Sequence, residues 1–438
     1  MMLKVCKFGG TSMSSSIAIN KVTEIIHSDD SRRYVVVSAP GKRDNTDIKI
    51  TDTLYQCFRE MKSTGSCNES FSLIYDRYMG IVRDLGLKID MKTYLDNVKK
   101  GIESSQSPDF AASRGEYLNA LIMAEQLGYA FVDAADVIRF NDDGTFDEDT
   151  TNDLVQEALS KVDKAVIPGF YGSYQDGRIK TFSRGGSDIT GAIIARGVNA
   201  DLYENWTDVS GFLKADPRIV NNPERIKTLS FRELRELSYM GASVLHPDAV
   251  FPVRVSGIPI NIRNTFAPQD EGTMIVPHYV ERDEKNIVTG IAGKKNFAII
   301  LIEKSMMNSE IGFSRRVLSV FEKYGISIEH MPSGIDTLSV VVSEEELKNK
   351  LDNVIMDIRS QFKPNTVEVY HGIALIATVG HGMSRRPGTS ARLFKSIYEA
   401  DVNVRMIDQG SSEMNIIIGV ENDDYEKALA AIYHEFIG

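Results

Sequence analysis

The sequence predicts an α/β protein built in two parts, a mainly parallel sheet sandwiched by helices followed by two smaller βαββ modules. Three observations carry this. Short apolar runs rich in β-branched residues end in Gly- or Ser-bearing turns and lead into amphipathic stretches, the order of βα units around a sheet buried on both faces. The length of 438 residues exceeds the roughly 100–200 of a usual domain. Residues 312–334 recur at 388–410, so the C-terminal part is internally duplicated.

The predicted strands of the sheet are residues 3–8, 34–38, 165–169, 202–206 and 258–263. In such folds ligands sit beyond the carboxyl ends of the strands, so the turns after them matter most. SRGE at 113–116 places Glu116 at the opening of an apolar helix containing Leu118, Ala120 and Leu121. In residues 187–196, Ile189, Ala192 and Ile193 form the stripe of a helix packed on a sheet, leaving its polar N-terminal end to face a ligand. Within the repeat, Gly312 matches Gly388, Ser314 matches Ser390, Arg316 matches Arg392 and Gly334 matches Gly410. Val317, Val320, Phe321 and Tyr324 give a helix, Ile326 and Ile328 an alternating strand, and LSVVV a further strand. The polar run ERDEKN at 281–286 reads as the linker. The predicted parts are therefore residues 1–280 and two modules, 287–366 and 367–438.

Composition narrows the function. A net charge of -11 repels nucleic acid and anionic membrane unless basic residues are segregated. They are not: from residue 291 onward acidic residues still outnumber basic ones, 20 to 16. Cys6, Cys57 and Cys67 are odd in number and lack metal-ligand spacing, which fits a reduced compartment. The N-terminal MMLKVCKFGG has no signal-peptide core and no apolar run reaches the roughly 20 residues of a membrane helix. A soluble cytoplasmic protein without nucleic-acid or membrane partners is the expectation.

The nucleotide-binding patterns GxxxxGK[ST] and GxGxxG and the kinase HRD and DFG motifs are absent. KFGGTSM at 7–13 instead ends a strand on Lys7, follows it with two glycines that permit close backbone approach, and offers Thr11 to Ser14 as helix caps. Exposed amides, a helix start and a lysine make an anion site; a tight turn with a solvated lysine fits the same residues. SRGGSDITGA at 183–192 supplies Arg184 as a planar fork for a carboxylate and Ser187 and Asp188 at a helix start, where Asp188 also reads as an ordinary N-cap. TDVSGFLKADPR at 207–218 ends a strand on Thr207 and Asp208, and Arg218 closes either a phosphate-facing or a purely structural turn. Glu116 alone is compatible with simple helix-dipole stabilisation.

Taken together, KFGGTS, SRGE, Gly169-Phe170, SRGGSD, TDVSG, ADPR, GASVLHP at 241–247 and IRNTF at 262–266 resemble the amino-acid kinase family, specifically its aspartate kinase branch. The repeat, with VGHGM at 379–383 and RMIDQGSSEMNI at 405–416, is similar to that branch's paired, ferredoxin-like ACT modules. The resemblance spans essentially the whole chain. It implies ATP-dependent phosphorylation of the β-carboxylate of L-aspartate, with Mg²⁺ arriving on ATP and bound mainly by phosphate oxygens and water. By the same resemblance, Lys7, Gly9 and Gly10 hold the nucleotide phosphates, Ser38 lines the cleft, and Asp188 orients Lys7. Thr207, Asp208 and Arg218 border the nucleotide. Thr51, Glu116, Arg184 and Ser187 contact aspartate, Glu116 at its α-ammonium and Arg184 at its α-carboxylate. The acceptor carboxylate ordinarily titrates near pH 4, at about 3.9, so it is ionised at neutral pH and needs no general base. The barrier is the approach of one anion to another, which cations and amides offset.

Two positions depart from the commoner family pattern, Ser243 for Lys and Leu213 for Tyr, both near the nucleotide. For the ACT repeat the family implies feedback control by a pathway end product, lysine or threonine, in lysine, threonine and methionine biosynthesis, and a homodimer or higher homo-oligomer. Met307, Gly312, Phe313, Ser314, Ser327, Ile328 and Glu329 are the implied effector residues. The helix start at 310–314 suits an α-carboxylate, and Glu329, on a facing strand, suits an ammonium. The competing readings are another amino-acid or carbamate kinase, which lacks the double ACT tail, and a catalytically silent amino-acid sensor, against which Lys7, Glu116, Arg184 and Asp188 argue.

Overall fold

The structure, a computed structural model, describes residues 2–104, 107–183, 185–242, 244–245, 247–278 and 287–438. Arg184, Ser243 and the predicted linker at 281–286 lie outside the described residues. The chain divides into two compact units, Met1–Phe212 with Lys227–Phe231 and Val244–Val280, and Leu213–Ile226 with Arg232–Ser243 and Glu281–Gly438.

The first unit opens with β1 (Lys4–Phe8), α1 (Ser16–His27) and β2 (Arg32–Val37). Four helices follow, α2 (Ile50–Thr64), α3 (Asn68–Leu85), α4 (Met91–Glu103) and α5 (Pro108–Leu127), before β3 (Ala130–Phe131), α6 (Ala134–Val137), β4 (Arg139–Phe140) and β5 (Phe146–Asp147). Then come α7 (Glu148–Ser160), β6 (Ala165–Pro168), β7 (Tyr171–Ser173), β8 (Ile179–Thr181), α8 (Gly186–Gly197), β9 (Leu202–Thr207) and β10 (Thr228–Ser230). After α9 (Phe231–Tyr239), nearly all of which belongs to the second unit, α10 (Phe251–Val255), β11 (Ile260–Asn264) and β12 (Thr273–Val276) complete the first.

Eight of these strands form one sheet in the order β10-β12-β11-β9-β1-β2-β6-β3, parallel from β11 to β3, with β12 antiparallel to β11. Their β-branched runs suit a sheet covered on both sides. Cys6, Phe8, Val35, Val37 and Trp206 face a core made with α1 to α5. Phe8 and Trp206 stack there with ring centroids 5.8 Å apart. Glu204 is buried on the same side and satisfied by Arg32 at 2.8 Å, Lys4 at 3.3 Å and the Trp206 indole at 2.9 Å. Burial pushes its pKa up, but these partners outweigh that and hold the carboxyl below its usual range. A small sheet, β5-β4-β7-β8, flanks the unit.

The second unit contains β13 (Gly290–Glu303), α11 (Phe313–Lys323), β14 (Thr337–Ser343), α12 (Glu344–Leu347), α13 (Leu351–Phe362) and β15 (Thr366–Val379). It ends with α14 (Thr389–Glu399), β16 (Met406–Asp408), β17 (Asn415–Glu421) and α15 (Tyr425–Phe436). The two halves of the repeat do not build separate sheets: their strands form one antiparallel sheet, β14-β13-β15-β17-β16. The two 14-residue strands β13 and β15 pair from Gly290 opposite Val379 to Glu303 opposite Thr366. A register irregularity at Lys294–Phe297 divides β13. Before it, Ile287, Val288 and Ile291 pack with α14 and α15; beyond it, Ala298, Ile300 and Ile302 pack with α11 and α13.

Candidate active site

Within the first unit the C-terminal ends of the parallel strands meet, and their hydrogen-bond ladder runs on into the turns. The Gly9 N–H donates to Trp206 O (3.0 Å), Ser38 N–H to Phe8 O (3.1 Å), Gly169 N–H to Val37 O (2.9 Å) and Thr265 N–H to Thr207 O (2.9 Å). Each turn after a strand is thereby fixed to its neighbour.

Lys7 pairs in register with Asn205, and strand alternation turns both side chains to the face opposite Phe8 and Trp206. The buried Lys7 ammonium lies 2.5 Å from Asp188 Oδ1. The same oxygen accepts from Asn205 Nδ2 at 2.8 Å. Asp188 sits in the first turn of α8, whose N-cap is Gly185 with φ 59°, so Asp188 is not the cap. Tyr203 OH donates to the Asp188 carbonyl (3.1 Å), and Gly191 leaves room for that ring: a Cβ there would stand 2.5 Å from its hydroxyl. The Gly9-Gly10 turn meets the connection after β2, where a Cβ on Gly41 would stand 2.6 Å from the Gly10 carbonyl carbon. Ser12 and Thr265 share a buried hydroxyl hydrogen bond of 2.8 Å, tying the KFGGTS and IRNTF segments together.

Glu116 is not at a helix opening. α5 begins at Pro108, so Glu116 lies in its interior and a dipole role in the first turn is ruled out. It is 5% exposed, and burial pushes its pKa up to about 8 against the opposing pull of the Ala39 N–H and Arg114. Its Oε2 has no hydrogen-bond partner among the described residues; the same holds for Asn119 Oδ1, one turn on, and for Arg114 Nη2. Arg114 lies over the rings of Phe110, Tyr117 and Tyr171 at 4.6–5.0 Å. Three orphaned polar atoms on one buried helix are costly unless a ligand or water completes them. Ser187 packs directly against Gly169, where a Cβ would stand 2.7 Å from its Oγ. Phe170 takes a left-handed backbone (φ 81°), its N–H held by Thr190 Oγ1 at 3.0 Å.

Of the other residues singled out by the sequence, Ser38 gives its carbonyl to Asn119 Nδ2 (2.6 Å), Thr51 lies in the first turn of α2, and Thr207 ends β9 beside the exposed Asp208. Arg218 belongs to the second unit, exposed and clasped by Asp216 at 2.6–3.1 Å, and Leu213 lies there too. Arg184 lies outside the described residues. Of the effector set, Met307 and Phe313 are buried, Phe313 edge-on to Phe362, and Gly312 caps α11 with φ 78° ahead of Ser314. Ser327, Ile328 and Glu329 do not form a ladder strand. They run extended beside β14, with the Glu329 N–H donating to Val341 O at 2.9 Å, and the Ser327 N–H donates to Glu346. The Glu329 carboxylate, partly exposed, accepts a hydrogen bond from Tyr239 OH. A groove of about 410 Å³ lined by Leu318, Phe321, Ile328, Glu329, His330 and Met331 adjoins it. Sequence reasoning missed Asn205, Asn119 and Tyr239. ENWTD did place Asn205 next to a strand end, but only the β1–β9 register puts it opposite Lys7.

Comparison with known proteins identifies the family. The chain matches the amino acid kinase family over residues 2–264 and an ACT domain over 376–436. It is 40% identical to aspartokinase 3 of Bacillus subtilis (strain 168), over 99% of this chain and 98% of that one. It resembles the crystal structure of Clostridium acetobutylicum aspartate kinase at 52% identity and a TM-score of 0.93, with both chains fully covered. E. coli aspartokinase III, at 26% identity and with both chains fully covered, superposes with TM-scores of 0.78 in its complex with aspartate and ADP (R-state) and 0.76 in its complex with lysine and aspartate (T-state).

Proposed function

We propose, from the premise that the chain belongs to the amino acid kinase family and within it to the aspartate kinases, a division of labour for its first unit that rests on the Lys7–Asp188 pair. The enzyme uses ATP to phosphorylate the β-carboxylate of L-aspartate. Lys7 and the Gly9 and Gly10 amides face the transferring phosphates, Asp188 and Asn205 hold the Lys7 ammonium in place, and Ser38, Thr207 and Asp208 border the nucleotide. Glu116 receives the α-ammonium of aspartate, which supplies the partner its buried Oε2 lacks, while Thr51, Ser187 and Arg184 complete the aspartate site. The acceptor is an anion already, so the protein's task is to hold two anions in line and neutralise the charge between them. Mg²⁺ arrives with ATP, bound mainly by phosphate oxygens and water.

The second unit carries feedback control. Lysine is the proposed effector, with threonine the alternative, in a homodimeric or larger cytoplasmic enzyme at the head of lysine, threonine and methionine biosynthesis. The lysine complex of E. coli aspartokinase III supports this choice, and the Glu329 carboxylate, which lines a groove with Leu318, Phe321 and His330, suits an ammonium. No helix among the described residues is long and apolar enough to cross a membrane. The test is aspartate-dependent ADP release in a coupled assay, with and without millimolar lysine, threonine, methionine or diaminopimelate. Turnover that ignores lysine but yields to threonine reassigns the effector, and aspartate-independent ADP release removes the substrate assignment.

A further inference from the structure

The connection between β2 and α2, residues 38–49, is longer than a turn needs and is held in its middle by one side chain from another element. Its ends are tied by backbone: Gly41 N–H donates to Gly10 O at 2.8 Å and Ile50 N–H to Pro40 O at 3.3 Å. Its centre is tied by Arg77, in the interior of α3, whose side chain is 7% exposed. Arg77 Nη2 donates to both oxygens of Asp47 at 2.7 and 2.6 Å. Its Nη1 donates to Gly41 O at 3.2 Å and to Ser14 O at 3.4 Å. Asp47 is also gripped by Arg43 at 2.9–3.1 Å, and these cations hold its carboxyl well below the usual range. One buried guanidinium therefore joins α3, the connection at two points, and the segment after the Gly9-Gly10 turn. An ion pair this enclosed contributes little net stability over apolar packing, but it fixes geometry.

We propose that Arg77, acting through Asp47 and Gly41, is a positioning residue for phosphoryl transfer: it holds the 38–49 connection so that the Ala39 N–H meets Glu116 and the first turn of α2 presents Thr51. This rests on the reading of Glu116 and Thr51 as aspartate contacts. The phosphate side has further ties outside this connection, Gly9 to Trp206 and Lys7 to Asp188. The clamp therefore governs aspartate more than ATP.

The test is steady-state kinetics of the full chain, varying aspartate and ATP separately, with melting temperature measured in parallel. Arg77→Met and Asp47→Asn each raise the KM for aspartate at least tenfold while the KM for ATP moves less than threefold. The double variant is no worse than the worse single, and Arg77→Lys recovers part of the loss. An unchanged aspartate KM, equal rises in both KM values accompanied by a fall in melting temperature, or additive effects in the double variant overturn the proposal. Should Arg77→Met fail to fold, Asp47→Asn, on the connection itself, carries the same comparison. Glu116→Gln is run alongside. If it leaves the aspartate KM unchanged, the underlying reading of Glu116 fails; if it raises that KM while Arg77→Met does not, the clamp alone fails.

Discussion

At the scale of single residues, the chemistry depends on charges placed where water is scarce. Lys7 is enclosed and paired, so replacing it removes both the cation proposed to face phosphate and the partner of Asp188. Lys7→Met should lower kcat by roughly 10² to 10³, the loss of about 2.7–4 kcal/mol typical of one preorganised electrostatic contact. It should also lower the melting temperature, because Asp188 is left with Asn205 alone; near wild-type kcat would refute the role. Glu116 gives a pH signature. With its pKa raised to about 8 by burial, it is largely protonated in the free enzyme at pH 6, and an α-ammonium needs the carboxylate. We expect kcat/KM for aspartate to climb about tenfold per unit as pH rises toward 8 and then level off. In Glu116→Gln that slope should vanish. The stability linkage has a definite sign: the folded protein holds a proton that the unfolded chain has released, so this contribution is present below about pH 4.5 and is lost as pH rises through about 8. Thermal melts should therefore show Glu116→Gln gaining on the parent as pH rises from about 4.5 to about 8, with no further gain above that.

At the scale of elements, close backbone crossings set the tolerance to change. A methyl on Gly41 would press on the Gly10 carbonyl carbon at 2.6 Å, and the Gly10 carbonyl oxygen and the Thr11 nitrogen, equally backbone, lie within 2.9 Å. Gly41→Ala should therefore displace the Gly9-Gly10 turn and cut kcat/KM for ATP at least tenfold without altering the circular dichroism spectrum; an unchanged value would mean that the turn does not hold phosphate. In the second unit, α9 competes for the carboxylate expected to meet the effector, since Tyr239 donates to Glu329. Burial and the Glu329 carboxylate together hold that hydroxyl's pKa well above its usual value. One such hydrogen bond is worth about 0.5–1.5 kcal/mol net, so Tyr239→Phe should tighten lysine inhibition by roughly 2- to 12-fold. Glu329→Ala should weaken it while leaving uninhibited turnover intact. Inhibition curves with the same midpoint in all three proteins would place the effector elsewhere.

At the scale of the whole molecule, control requires only a modest coupling between effector and substrate, about 1–3 kcal/mol, or 5- to 150-fold in affinity. Reciprocity follows: if lysine weakens aspartate binding, saturating aspartate must weaken lysine binding by the same factor. Calorimetric titration of lysine with and without aspartate measures this coupling, and a lysine affinity that saturating aspartate leaves unchanged would show that the inhibition acts on turnover and not on binding.

The sequence by itself determined the fold class, the parallel strands, the duplication and the identity of Lys7, Glu116, Ser187 and Asp188 as candidates, because strand period, glycine turns and repeats are written in neighbouring residues. The tertiary structure decided which of them meet. Lys7 and Asn205 are far apart in the chain and face one carboxylate only through the β1–β9 register. Glu116 sits inside α5 and not at its start because the helix begins at Pro108, capped by Ser107. That same burial, which no local pattern encodes, sets its pKa. The two repeats share one sheet because β13 and β15 each run the length of both. Local sequence fixes periodicity and chemistry, whereas register, burial and the pairing of distant charges arise only when the whole chain packs.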